Sequence, residues 1–171
     1  MLIVGNDKQV SVKQEFAVDS ADEPRILESM NSVLAPYPAH QIVTWSGLSA
    51  DFPEFEKAWA RNDMPRSALD DFKGRHVDLF QRAVRGVRLP IPELGLKAVS
   101  DHFTFKRKVF SVSDGLDALM MYMSYRSTKD ERLRTKLMMY NQDDLNATLF
   151  VWEKLWELAS QSAAPHETVH L

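Results

Sequence analysis

The 171-residue sequence contains no cysteine, and no apolar run in it approaches the roughly 20 residues of a membrane-spanning helix. The lack of cysteine excludes disulfides and thiolate metal ligands, and it fits a reducing, cytoplasmic setting. The opening segment "MLIVGNDKQV" also lacks the basic and long apolar regions of a signal peptide. We therefore expect a cytoplasmic protein that does not bind membranes.

An excess of basic residues is missing as well, because the formal net charge is −3. The chain as a whole lacks the basic character that is typical of proteins bound to nucleic acid. Basic residues still gather locally, as in "KRK" at 106–108 and in the segment from Arg126 to Lys136. Such clusters are commonly solvated surface, but an acidic body can also carry a local basic track for nucleic acid, so both interpretations stay open.

The pattern of apolar residues in the first third of the chain predicts a hairpin and a strand. "MLIVG" and "VSVKQEFAV" alternate in the manner of strands and predict the hairpin. "QIVTW" at 41–45 predicts a short buried strand, and a helix is expected from Pro53 to about Asn62.

The remainder of the chain is predicted to be mainly helical. "HVDLFQRAV" predicts a strand that turns into a helix, and the last helix is expected from about 130 to 160. This order predicts one mixed α/β domain over residues 1–160, with helices packed on a sheet. A disordered tail is expected over 161–171.

The last predicted helix carries two adjacent carboxylates in an otherwise apolar stretch. At about 100° per residue, Asp144 shares a face with Tyr140 and Val151, whereas Asp143 is rotated toward the polar side. The helix therefore predicts a solvent-facing Asp143 and an Asp144 that points into the protein. A buried carboxylate needs a partner, and spacing alone leaves open a metal ion, a set of hydrogen-bond donors or an arginine from elsewhere.

Another acidic residue, Asp51, follows the predicted strand at 41–45 through the loop "SGLSAD". Acidic side chains often gather at such strand ends to bind metals, and a ligand can approach there. The simpler interpretation is that Asp51 caps the following helix. Asp78 in "HVDL" is interpreted as a structural residue rather than a metal ligand.

Taken together, these segments resemble the ribonuclease-H-like 3′–5′ exonuclease superfamily, called DEDD for its four metal-binding acids. "TWSGLSADFPEF" at 44–55 is similar to the "[FY]NGxxFDxPFL" element of that superfamily. "YNQDDL" at 140–145 resembles the last motif of the tyrosine subclass, in which three residues separate the tyrosine from the aspartate. Linking segments such as "LGLKAVSDHF" are similar to the YprB-like, or RecB-associated, branch of predicted nucleases. The resemblance covers most of residues 1–158.

The resemblance implies a mixed ribonuclease-H-like sheet flanked by helices, and a phosphodiester hydrolase that acts on DNA or RNA with two Mg²⁺ or Mn²⁺ ions. Two such ions, about 3.5–4 Å apart, activate a water and neutralise the charge on the leaving oxygen. Asp51 and Asp144 would then be metal ligands, and Tyr140 would position the attacking water. The histidine subclass would have histidine where this sequence has Met139.

One family motif has no match, because the Asp-x-Glu pair of the first family strand is absent from this sequence. The opening hairpin resembles the second and third family strands, and the unmatched strand normally lies between that hairpin and the strand at 41–45. Two acids of four make a poor two-metal site. The sequence leaves open an exonuclease whose true start lies upstream, a degenerate relative that binds nucleic acid or a protein partner, and an unrelated α/β protein.

Overall fold

The computed structural model describes residues 1–5, 7–109 and 111–162, and for Val84, Arg85 and Ser162 it describes the backbone alone. In those ranges the strands are β1 (Leu2–Val4), β2 (Val10–Val12), β3 (Ile42–Thr44) and β4 (His76–Asp78). The helices are α1 (Glu23–Leu34), α2 (Asp51–Arg61), α3 (Arg66–Arg75), α4 (Leu79–Gly86), α5 (Leu96–His102), α6 (Gly115–Thr128) and α7 (Glu131–Ser162), and a 3₁₀ helix, Ser20–Asp22, precedes α1. No helix in these ranges is both long and apolar enough to cross a membrane.

The predicted N-terminal hairpin is confirmed. β1 and β2 pair in antiparallel orientation, with Val4 opposite Val10. The turn closes where the backbone N–H of Gly5 donates to the carbonyl of Gln9 at 2.9 Å. Lys8 takes a left-handed φ of 62° in this turn, which lets the chain reverse over few residues.

The predicted strand at 41–45 is also present and pairs with the strand of "HVDL". β3 and β4 run parallel, with Ile42 opposite His76 and Thr44 opposite Asp78. Among the described residues no ladder joins this pair to the hairpin, so the strands form two separate two-stranded sheets, one antiparallel and one parallel. The resemblance puts the unmatched strand between the hairpin and β3, and no ladder joins these two in the described residues.

A hydrophobic cluster joins α1, α2 and α3. Trp59 and Leu69 are each 2% exposed, and Leu27 is 4% exposed. The indole Nε1 of Trp59 donates to the carbonyl of Pro65 at 3.0 Å, so the polar atom of this large side chain has a partner. The cluster therefore fixes the position of α2, whose first residue is Asp51.

The longest helix, α7, packs against both α5 and α6. Its Ala147 and Val151 side chains have no exposed surface, and neither has Val99 of α5. The segment after β2 reaches this helical layer, because the side-chain amide of Gln14 donates to the carbonyl of Met138 at 2.9 Å. The layer formed by α5, α6 and α7 is the scaffold for the predicted Tyr140 and Asp144.

Three features of the helices differ from the prediction. α2 begins at Asp51, two residues before the expected Pro53. α3 was not predicted, because its segment is largely charged and Leu69 is its one buried residue. α7 continues to Ser162, so residues 161–162 of the predicted disordered tail are helical, and the remainder of that tail lies outside the described residues.

The core cluster leads to a prediction about stability. Leu69→Ala removes a side chain that is 2% exposed and leaves a cavity, so we expect the free energy of unfolding to fall by about 2–5 kcal/mol. Leu116→Ala on α6, where the side chain is 69% exposed, should change it by no more than about 0.5 kcal/mol. Urea denaturation followed by circular dichroism measures both values, and equal losses would contradict this placement of the core.

Candidate functional site

The two adjacent carboxylates of α7 both face the protein. Asp143 is 4% exposed, and its Oδ2 accepts hydrogen bonds from the backbone N–H groups of Lys108 at 3.1 Å and Val109 at 3.4 Å. The prediction of a solvent-facing Asp143 is therefore wrong. The physical reason is that the buried arc of α7 is wider than the predicted face, since it extends from Val151, which belongs to that face, through Ala147 to Asp143.

Asp144 contacts a cation from the same loop. Its Oδ1 accepts a hydrogen bond from Nη1 of Arg107 at 3.2 Å, and its side chain is 27% exposed. The Arg107 side chain is only 9% exposed, and its Nη2 donates to the hydroxyl of Ser100 at 3.0 Å. The Nε of Arg107 lies 3.6 Å from a carboxylate oxygen of Asp101. Of the partners that the sequence left open for Asp144, the structure has the arginine.

Tyr140 lies one turn before Asp144 and belongs to the same surroundings. Burial and, next, the carboxylate of Asp144 raise the pKa of Tyr140 to about 12. The ammonium group of Lys97 lies 5.2 Å from the centre of the Tyr140 ring, where the two attract each other. At neutral pH the Tyr140 hydroxyl is therefore protonated, and it can donate a hydrogen bond but cannot act as a proton-accepting base.

Asp51 lies in a different electrostatic environment. Asp51 is exposed as a residue, but its carboxyl group is partly buried. This burial and, next, the negative charge of Asp78 raise the pKa of Asp51, whereas His76 lowers it. In the described part of the chain, no hydrogen bond or ion pair joins Asp51 to Tyr140 or Asp144. The structure therefore brings Tyr140 and Asp144 together, and it groups Asp51 with Asp78 and His76.

The loop that precedes α2 is held by Asp78 rather than by Asp51. Asp78 is 5% exposed, and its two carboxylate oxygens accept from the backbone N–H groups of Ser46 and Leu48, each at 3.0 Å. It also caps α4 by accepting from the N–H of Phe80 at 3.0 Å. This confirms the structural interpretation of Asp78. The alternative that Asp51 is a helix cap is wrong, because α2 starts without a side-chain capping bond.

A glycine in the same loop has a steric reason to be there. A Cβ atom on Gly47 would collide with the side chain of Thr44, whose Oγ1 accepts the Gly47 N–H at 3.2 Å. The same Oγ1 lies 2.8 Å from Nε2 of His76, so the loop is tied to β4. Ser46 takes a left-handed φ of 60° and turns the chain after β3.

The described residues do not form a complete two-metal centre. Within the described ranges, no group of three or more histidine, aspartate or glutamate side chains could hold a metal ion. Asp144 is engaged by Arg107, and both oxygens of Asp78 are engaged by backbone N–H groups. Mg²⁺ and Mn²⁺ need several available oxygen ligands. The residues present do not fit the pair of ions that the resemblance implies.

Sequence reasoning missed Arg107, the ion-pair partner of Asp144, and Ser100, whose hydroxyl accepts a hydrogen bond from Arg107. The triplet at 106–108 was visible as a basic cluster, but a loop has no periodicity that would indicate its partner. A usable signal was the requirement that a buried carboxylate finds a cation. Of the two basic clusters in the sequence, that requirement favours the one at 106–108, which lies between two helices, over the one at 126–136, which lies largely within helices.

Comparison with known proteins identifies the class. A family model of the RNase H superfamily matches residues 1–156, which is most of the chain. The chain therefore belongs to the RNase H superfamily, and its mixed α/β architecture with small sheets is consistent with an RNase H-like fold. RNase H-like nucleases generally use divalent metal ions. No curated protein and no solved structure gives a significant match to the chain.

Burial of Asp143 leads to a second prediction. Asp143→Ala leaves two backbone N–H groups of the 106–109 loop without an acceptor, so we expect the free energy of unfolding to fall by about 1–3 kcal/mol. Gln142→Ala at the neighbouring exposed position is the matched control and should stay within about 0.5 kcal/mol of the parent. Chemical denaturation measures both variants. Equal stability of the two would show that the loop does not depend on Asp143.

The environment of His76 predicts how stability depends on pH. Burial lowers the pKa of His76, and this effect outweighs the charges of Asp78 and Asp51, which raise it. Because the unfolded chain binds this proton at a higher pH than the folded chain, stability is lost as pH falls below the ordinary histidine value of about 6.5. We expect His76→Gln to flatten this decline in denaturation curves recorded across that range.

The control for this measurement is His102→Gln, which changes an exposed histidine at the end of α5. The control should keep the decline of the parent protein. A decline that is unchanged in His76→Gln would contradict the assignment of this proton to His76.

Proposed function

We propose that this chain is a nuclease-type domain that binds DNA or RNA at the face of α7 that carries Tyr140 and Asp144. The observation that supports the proposal is the contact between Asp144 and Arg107. That contact brings a basic loop to the same face as the tyrosine and aspartate that match the superfamily's last motif. A cysteine-free composition suits the cytoplasm as the setting for this activity.

Tyr140 has the properties of a donor to phosphate. Its hydroxyl keeps its proton at neutral pH, because burial and the Asp144 carboxylate raise its pKa to about 12. A protonated phenol can donate one hydrogen bond, so a phosphate oxygen or a water beside it would compete with the carboxylate of Asp144 for that proton. Exposed lysines on the adjacent loop, Lys106 and Lys108, would supply the attraction to the charged backbone.

The second candidate function is 3′–5′ exonuclease hydrolysis with Mg²⁺ or Mn²⁺. It is favoured by one observation, namely that Tyr140 and Asp144 are neighbours with the spacing of the tyrosine subclass. In this candidate Tyr140, Asp51 and Asp144 would be the catalytic residues, with the two aspartates as metal ligands. Oxygen ligands beyond these two are needed to hold two ions, so we derive no hydrolytic step from this chain's residues.

Binding without metal is the direct test of the proposed function. We expect labelled single-stranded DNA or RNA to bind in EDTA, with an affinity that falls as salt is raised. Tyr140→Phe removes one hydrogen-bond donor and should weaken binding by about 0.5–1.5 kcal/mol. Tyr37→Phe, which changes a tyrosine between α1 and β3, should bind as the parent does. Fluorescence anisotropy measures the affinities, and no binding to either polymer at low salt would overturn the proposal.

Hydrolysis is tested separately with 5′-labelled strands and Mn²⁺, resolved on denaturing gels. The proposal expects strands that keep their length with this chain alone. The control pair is Asp144→Asn and Asp70→Asn, the latter an exposed aspartate on α3. Shortening from the 3′ end that the parent and Asp70→Asn share, and that Asp144→Asn lacks, would establish the second candidate instead.

A further inference from the structure

A cavity of about 390 Å³ lies beside the loop that Asp143 and Asp144 hold. Its apolar wall is formed by Phe105, Val109 and Val112, of which Val112 is 2% exposed. The ring centre of Phe105 lies 5.4 Å from that of Phe150, and the guanidinium carbon of Arg107 lies 5.9 Å from the centre of the Phe105 ring. A pocket of this volume with an aromatic wall can accept a flat ring of the size of a nucleobase.

Cationic side chains surround the same cavity. Lys106 lines it and is exposed, and among the described residues it is in no ion pair. Arg107 also lines the cavity but lies inside the protein, where its buried Nε has no hydrogen-bond partner among the described residues. A carboxylate oxygen of Asp101 lies 3.6 Å from this Nε, so the charge of Arg107 has a partner on the cavity wall.

One acidic side chain belongs to the cavity wall as well. Asp101 is 61% exposed, and its carboxylate lies 3.6 Å from the Nε of Arg107. A phosphate placed inside the cavity would meet this carboxylate and be repelled by it. An uncharged base inside the cavity avoids that repulsion, and the phosphates then lie outside, next to the exposed lysines of the loop.

The loop is already held in place before any ligand arrives. Asp143 accepts from the backbone N–H groups of Lys108 and Val109, and Asp144 accepts from the side chain of Arg107. A loop that is fixed in advance loses little conformational entropy on binding, which favours affinity.

We propose that this cavity and the loop beside it form a nucleotide-binding site for single-stranded nucleic acid. An unstacked base occupies the cavity against Phe105, and the flanking phosphates contact Lys106 and Lys108. The site lies next to Tyr140, because Lys97 both lines the cavity and contacts the Tyr140 ring. This inference rests on the proposed function, but it requires neither a metal ion nor hydrolysis.

The test uses the full chain in EDTA with fluorescent single-stranded and duplex oligonucleotides of one sequence. Phe105→Leu keeps an apolar side chain but removes the ring, and we expect it to weaken single-strand binding about tenfold. Lys106→Gln and Lys108→Gln should each weaken binding several-fold and lower the slope of log affinity against log salt by about one. The parent protein should prefer the single strand over the duplex.

The matched control is Lys57→Gln, which removes one positive charge from an exposed lysine on α2. It should bind as the parent does, and thermal unfolding of each variant checks that the fold is kept. If the parent binds but Phe105→Leu and Lys106→Gln bind equally well, this site is overturned and the proposed function stands. If the parent binds neither single strand nor duplex, the proposed function itself fails.

Discussion

A buried negative charge on α7 determines the arrangement of the whole candidate site. The carboxylate of Asp143 is almost completely removed from water, and without donors such a group is strongly unfavourable. Two backbone N–H groups of the loop supply the donors, so moving the loop away from α7 would leave the buried carboxylate of Asp143 without these hydrogen bonds. The loop in turn places Arg107 against Asp144, beside Tyr140. One electrostatic requirement therefore fixes the basic loop, the tyrosine and the cavity relative to one another.

Arg107 brings a positive charge to the carboxylate that the superfamily resemblance assigns to a metal ion. A guanidinium group remains protonated at any physiological pH and is weakly hydrated, which suits it to a nearly buried position. A divalent ion at Asp144 would compete with Arg107, whose side chain is 9% exposed and which would then retain the carboxylate of Asp101, 3.6 Å from its Nε, as an ion-pair partner. In the structure Asp144 is thus paired with a cationic side chain at the position that the resemblance assigns to a metal ligand.

Local patterns in the sequence were sufficient for the hairpin, for the strand at 41–45 and for the last helix, because these depend on neighbours in the chain. Helical spacing also predicted that Asp144 needs a partner. It could not predict the burial of Asp143, because α5, α6 and the loop cover a wider arc of α7 than one stripe. α3 was missed for a similar reason, since Leu69 is buried in a cluster that includes Leu27 of α1 and Trp59 of α2. The partner of Asp144 also comes from far along the chain.

The short parallel pair of β3 and β4 has a consequence for which part of the molecule unfolds locally most easily. β3 and β4 have three residues each, and Thr44 and His76, which they bring together, are 32 positions apart. Helix α7, in contrast, has 32 residues and packs against both α5 and α6. Amide hydrogen exchange should then be slow in α7 and faster around β3 and Asp51, because a ladder of three residues has few contacts to lose on opening.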